Sequence, residues 1–117
     1  MKIRVRNLRL RTIVGIYDWE KAEKQDVIIN IEFEIDGTKA ALSDSISDTL
    51  NYKNLNKKII DTVQSSEFNL LEKLAKTVLD IVMQEEKVLW ARVEVDKPGA
   101  LRFSDSVSVE CESAKKS

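Results

Sequence analysis

The sequence predicts an α+β fold of order ββααββ, with one sheet of four antiparallel strands and two antiparallel helices on one face. Three observations carry that reading. Apolar and polar residues alternate from Ile3 to Ile16 and again from Asp26 to Ile35, the period of half-buried strands. Between positions 51 and 84 the apolar spacing changes to three and four, the period of helices buried on one side. Alternation returns from Val88 to Asp96 and from Val107 to Cys111. A sheet of this kind leaves two outer strands to protect, and joining subunits edge to edge into a ring protects both.

The first strand changes parity partway along. Ile3 and Val5 are odd, whereas Leu8, Leu10, Thr12, Val14 and Ile16 are even. One extra residue near Asn7 keeps both sets on the core side, so a β-bulge is expected there. Arg4, Arg6, Arg9 and Arg11 then fall on the opposite face, where Asn30, Glu32 and Glu34 of the second strand supply acidic and polar neighbours. The segment from Tyr17 to Gln25 is polar and longer than a hairpin turn, and reads as a loop.

Asp36-Gly37 ends the second strand, Thr38 to Leu42 can make one helical turn, and Ser43 to Thr49 is a polar connector. Asn51 is a good N-cap for a helix carrying Leu55, Ile59, Ile60 and Val63. A second helix runs from Leu70 to about Gln84, with Asn69 and Glu72 spaced as a capping box. Lys97-Pro98-Gly99 reads as the turn before the last strand, and the chain from Glu112 as a frayed tail. Residues 1–112 therefore form a single domain and 113–117 a C-terminal tail.

Composition narrows the chemistry. Of 117 residues, 43% are hydrophobic and 33% charged, with a net charge of −1, so no overall field draws the chain to nucleic acid or an anionic membrane. No apolar run approaches the roughly 18 residues of a membrane span, and no export signal is evident at the N-terminus. One cysteine excludes an internal disulfide and fits a reducing cytoplasm. There is no histidine. Triads built on histidine are excluded, a zinc site is disfavoured, and acid–base work falls to Glu, Asp, Lys, Tyr or water.

Four polar features sit at element ends, where a rigid scaffold presents reactive groups. They are Glu20, the Asp48-Thr49-Leu50-Asn51-Tyr52 segment, Glu72 and Lys97. Gly15-Ile16-Tyr17-Asp18-Trp19-Glu20 with Gln25, Asp48 to Tyr52, Phe68 to Ala75, and Asp96-Lys97-Pro98-Gly99-Ala100 together resemble, in order and spacing, the blocks of bacterial dihydroneopterin aldolases. Arg4 to Thr12 and Ala100 to Ser108 look more like the related dihydroneopterin triphosphate 2′-epimerases. The resemblance spans about Ile3 to Val109.

It implies the T-fold, tetrameric rings stacking into a homo-octamer, active sites between subunits, and a small-molecule pterin substrate with no cofactor and no metal. In that pattern Glu72 anchors the pterin, helped by backbone groups of Leu71, Leu50 and Asn51. Lys97 and Tyr52, the latter from across the subunit boundary, handle protons, and Glu20 binds side-chain hydroxyls or steadies Lys97. Arg102 is a candidate phosphate contact. The leading expectation is aldolase activity in folate biosynthesis; the alternative is the triphosphate epimerase. A third reading, from another class, is a pterin- or purine-binding protein without catalysis. Glu72 itself carries two readings, helix cap or pterin anchor, and they demand opposite side-chain directions.

Overall fold

A computed structural model describes residues 1–116. The order of elements is β1 (Lys2–Val14), α1 (Asp18–Ala22), β2 (Gln25–Ile35), α2 (Thr38–Ser43), a 3-10 turn (Ile46–Asp48), α3 (Tyr52–Ser65), β3 (Glu67–Phe68), α4 (Leu71–Met83), β4 (Val88–Pro98) and β5 (Ser106–Ala114). The sheet has five strands in the order β3-β1-β2-β4-β5. This corrects the expected four-stranded antiparallel sheet. The four long strands do pair antiparallel, but the two-residue β3 adds to β1 in parallel, through Ile13–Glu67 and Val14–Phe68.

The β1–β2 register shifts between Val5 and Leu8, where Asn7 takes φ 54° and its N–H donates to Asn30 Oδ1 at 2.9 Å. That is the expected bulge: Leu10, Thr12 and Val14 are buried, and Ile3, Val5 and Leu8 pack beside them. Ile16 does not join them. The strand stops at Val14, and Ile16 lies exposed beyond it. On β2, Val27, Ile29, Ile31, Phe33 and Ile35 are all buried. Helix α3 contributes Leu55, Ile59 and Val63 to the core, and α4 contributes Leu74, Ala75, Val78, Leu79, Ile81 and Val82. Val88, Ala91, Val93 and Val95 of β4 complete it.

The opposite sheet face is ionic. Glu32 takes Arg4 at 2.8 Å, Arg92 at 3.3 Å and Lys2 at 3.4 Å. The Arg4 hydrogen bond, helped by Lys2, holds its carboxyl below the usual range despite burial. Trp90 lies on this face too, with the Lys2 ammonium 5.0 Å from its ring centre.

Helix α3 starts as expected, with Asn51 Oδ1 accepting from the N–H groups of Lys53 and Asn54. Helix α4 does not. The residue before it is Leu70, extended and offering no side-chain cap, so the Asn69–Glu72 capping box is absent. Pairing of Glu67 and Phe68 with β1 carries the chain in as a strand, and it turns helical only at Leu71. The expected loop after β1 holds the short helix α1. At the other end β5 stays paired through Ala114, past the expected domain edge at 112, and Lys115 N–H donates to Leu89 O. The residues expected to fray are thus held down to Lys115. No helix among the described residues is long and apolar enough to cross a membrane.

Candidate active site

The sheet's β1, β4 and β5 converge with the start of α4 on an open cleft of about 230 Å³. Lys97 comes from the end of β4. It continues the inward parity of Val93 and Val95, so its stem follows the core while its ammonium reaches the rim. There it donates to Glu20 Oε2 at 2.6 Å and to Val14 O at 3.0 Å. An ammonium has three N–H donors; the third remains for whatever enters the cleft.

Glu20 is the third residue of α1 and only 7% exposed. Its Oε1 accepts from the N–H groups of Tyr17 at 3.2 Å and Ile16 at 3.3 Å. The carboxylate folds back on its helix start, as one half of a capping box does. Gln25 Nε2 donates to the Glu20 carbonyl and ties α1 to β2. The Lys97 hydrogen bond does most to hold the Glu20 carboxyl below its ordinary value, with the two backbone N–H groups assisting and burial opposing. The pair is a fixed, largely desolvated dipole at the cleft wall.

Glu72 lines the same cleft from the first turn of α4, beside Asn69, Leu70 and Leu71. Its side chain is exposed and, among the described residues, takes no hydrogen bond or ion pair. Leu74 is the first residue whose N–H bonds back into the helix, to Leu70 O. The N–H groups of Leu71, Glu72 and Lys73 are therefore the helix's free donors. A free carboxylate beside free N–H groups can read the polar edge of a heterocycle, accepting from its N–H donors and donating to its oxygens.

The structure thus brings together Glu20, Lys97, Glu72 and Leu71. It sets Leu50 and Asn51 apart, at a separate recess formed with Thr49, Asn54 and Glu85 to Lys87, and Tyr52 lines neither recess nor cleft. Leu50 is buried, Asn51 is the α3 cap, and Tyr52 is exposed at the first position of α3. Arg102 lies on the exposed β4–β5 connection, over the Phe103 ring and outside the cleft lining, to which its neighbour Ala100 belongs. Sequence reasoning assigned nothing to Val14, whose carbonyl holds Lys97, or to Val107 and Val109, the cleft's apolar floor. Alternation marks those valines as strand residues but cannot say which end of a strand borders a cleft.

Fold and cleft define a class: a small, histidine-free α+β protein with a buried Lys–Glu ion pair and an exposed carboxylate lining one open pocket. The family model for dihydroneopterin aldolase, FolB, matches residues 3–112. The chain belongs to this family. It is 47% identical to the dihydroneopterin triphosphate 2′-epimerase of Escherichia coli strain K12 over 107 residues, 92% of this chain and 89% of that one. With the dihydroneopterin aldolase of the same organism it shares 32% over 105 residues, 90% of this chain and 86% of that one. The E. coli dihydroneopterin aldolase solved in complex with neopterin superposes with a TM-score of 0.92 at 30% identity, covering 97% of this chain and 99% of that one.

Proposed function

We propose that this protein is a dihydroneopterin enzyme that breaks the C1′–C2′ bond of 7,8-dihydroneopterin by a retro-aldol step, without metal or cofactor. The observation that carries the reading is one cleft lined by both the Glu20–Lys97 pair and Glu72. The substrate supplies its own electron sink, the N5=C6 imine. As the 2′-hydroxyl gives up its proton to Lys97, Tyr52 or a water, C2′ becomes a carbonyl carbon, and the bonding pair moves to C1′ and on into the imine, with N5 protonated. Protonation of C1′ with loss of the N5 proton restores the ring as 6-hydroxymethyl-7,8-dihydropterin, and glycolaldehyde leaves. Positioning and proton transfer suffice for these steps.

Glu72 accepts from the 2-amino and N3 sides of the pterin, a charge-assisted bidentate contact, with the Leu71 backbone beside it. The free N–H of Lys97 serves the side-chain hydroxyls and N5, and Glu20 keeps that side chain in place. Tyr52, with the backbone of Leu50 and Asn51, comes from a neighbouring copy, in keeping with their absence from the cleft lining of their own chain. The edge of β5 and, beyond its two-residue pairing with β3, that of β1 support such a neighbour. On one sheet face β1 carries Lys2, Arg4, Arg9 and Arg11, and β5 carries Glu110 and Glu112. The two edges are opposite in charge, which suits head-to-tail joining into a ring, here a tetramer stacked as an octamer. The single free thiol, Cys111, fits a cytoplasmic setting.

A second reading shares the cleavage and differs after it: the fragment re-adds from its other face and inverts C2′ in the triphosphate. The 47% identity to an epimerase, against 32% to an aldolase, favours it. One experiment separates the two. Purified protein is given 7,8-dihydroneopterin or its triphosphate, and products are resolved by chromatography. Glycolaldehyde release supports the aldolase; inversion of the triphosphate with no glycolaldehyde replaces it by the epimerase. In the second case Arg102→Ala lowers turnover of the triphosphate alone, and equal losses on both substrates remove Arg102 as a phosphate contact.

A further inference from the structure

Three interactions of the cleft meet at the junction of Val14 and Gly15. The Val14 carbonyl accepts from Lys97 at 3.0 Å. Gly15 N–H donates to Phe68 O at 2.9 Å, tying the end of β1 to the strand that leads into α4 and Glu72. The third is a contact that only a glycine permits. Gly15 is buried at φ +150°, a region side chains rarely adopt, and the Glu20 side chain lies against it. A Cβ built there falls 2.5 Å from both Glu20 Cβ and Oε2, and closer still to Cδ. No carbon can stand so near a carboxylate that also binds Ile16, Tyr17 and Lys97.

We propose that Gly15 is a positioning residue: its missing side chain is the seat of the Glu20 carboxylate, and through Glu20 it sets where the Lys97 ammonium stands. The assignment rests on the proposed role of Glu20 and Lys97 in turnover. A side chain at 15 moves Glu20 outward, so Lys97 loses its carboxylate partner while the pterin end of the cleft, at Glu72 and Leu71, stays as it is. Gly15 then affects the chemical step more than pterin binding.

The test is Gly15→Ala in the full chain, with turnover of whichever dihydroneopterin form the wild type uses and neopterin affinity by fluorescence titration. The expected result is a loss of about 100-fold or more in kcat, the scale of a 1 Å misplacement, with neopterin affinity within about threefold of wild type. The acid limb of kcat/KM also moves to higher pH, because Glu20 gives up the partners that hold its carboxyl low. Unchanged kcat, or kcat and neopterin affinity falling in proportion, overturns the proposal. If Gly15→Ala does not fold, Gly15→Ala/Glu20→Gly is compared with Glu20→Gly by thermal unfolding. With the Glu20 side chain gone the added methyl has nothing to strike there, so the double variant folds and melts below Glu20→Gly by no more than the roughly 5–15 °C that backbone strain at φ +150° brings to any side chain. A double variant that is also unfolded, or melts far lower, overturns the proposal, since the need for glycine is then the backbone's own. Failure of the proposed function shows separately, as a wild type that turns over neither substrate, and the melting comparison still reads the Gly15–Glu20 contact.

Discussion

Glu20 and Glu72 each stand in the first turn of a helix beside the same cleft, and the chain treats them differently. Glu20 is buried, with both oxygens engaged by Lys97, Ile16 and Tyr17. Glu72 is exposed and, among the described residues, unpartnered. A buried carboxylate without partners carries a heavy desolvation penalty, so Glu20 has to be satisfied from within the chain. Glu72, exposed at the surface, needs no partner from within the chain. On the proposed reading, the difference separates apparatus that is built before substrate arrives from a group that substrate itself engages.

The contrast is broken most severely at Lys97. Lys97→Ala leaves the Glu20 charge buried without its cation, which costs about 3–5 kcal/mol of stability. The same change removes the group proposed to handle protons and is expected to lower kcat by about 10²–10⁴-fold. Urea unfolding and turnover measure the two. A variant as stable as wild type would show that water replaces the ammonium, and that the pair is not desolvated in solution.

Glu72→Gln is the smaller and cleaner change. Loss of a charged hydrogen-bonding partner weakens neopterin binding by about 10–100-fold, while stability stays within about 0.5 kcal/mol, as for a surface substitution. Fluorescence titration and thermal unfolding give both numbers. Wild-type affinity in this variant would move the pterin anchor elsewhere.

Acid sharpens the comparison most gently. Glu20 has its carboxyl lowered from 4.5 in the fold, so its stabilisation is complete above that value and is lost as pH falls through the lowered one. Glu32 and Asp36 are lowered too, by Arg4 and by the Thr38 N–H respectively, and share the same acid limb. Glu20→Gln therefore reduces the loss of stability below about pH 4.5 without abolishing it. Denaturation midpoints measured across that range show whether Glu20 carries its part.

Much of the fold was legible because long elements repeat their signal. The parity change around Asn7 located the bulge, and Asn51 with the Leu55-Ile59-Val63 stripe located α3 and its cap. Short elements repeat nothing. Two residues of β3 have no period, and α1 is one turn in a polar segment, so neither could be read. The capping box was misplaced for a physical reason: Asn69 and Glu72 have the right spacing, yet β3 delivers the chain to α4 already extended. The back-bonded glutamate is Glu20, preceded by Tyr17, which no cap rule selects. At the site, element ends pointed to Glu20, Glu72 and Lys97, and the structure gathers those three. Gly15 lay inside a recognised block, but composition cannot tell a glycine needed for a turn from one needed by a neighbour's carboxylate.

The bulge at Asn7 puts the two halves of β1 in opposite phase. Before it, odd residues face the core; after it, even ones do. Regular pairing of the same strand, without the bulge, would leave every amino acid of the first segment intact and shift its frame against the rest. Ile3 and Val5 would turn outward, Lys2 and Arg4 would turn in, and Glu32 would lose two of its three cations at once. One asparagine thus keeps the hydrophobic face and the ionic face of the sheet in step with each other.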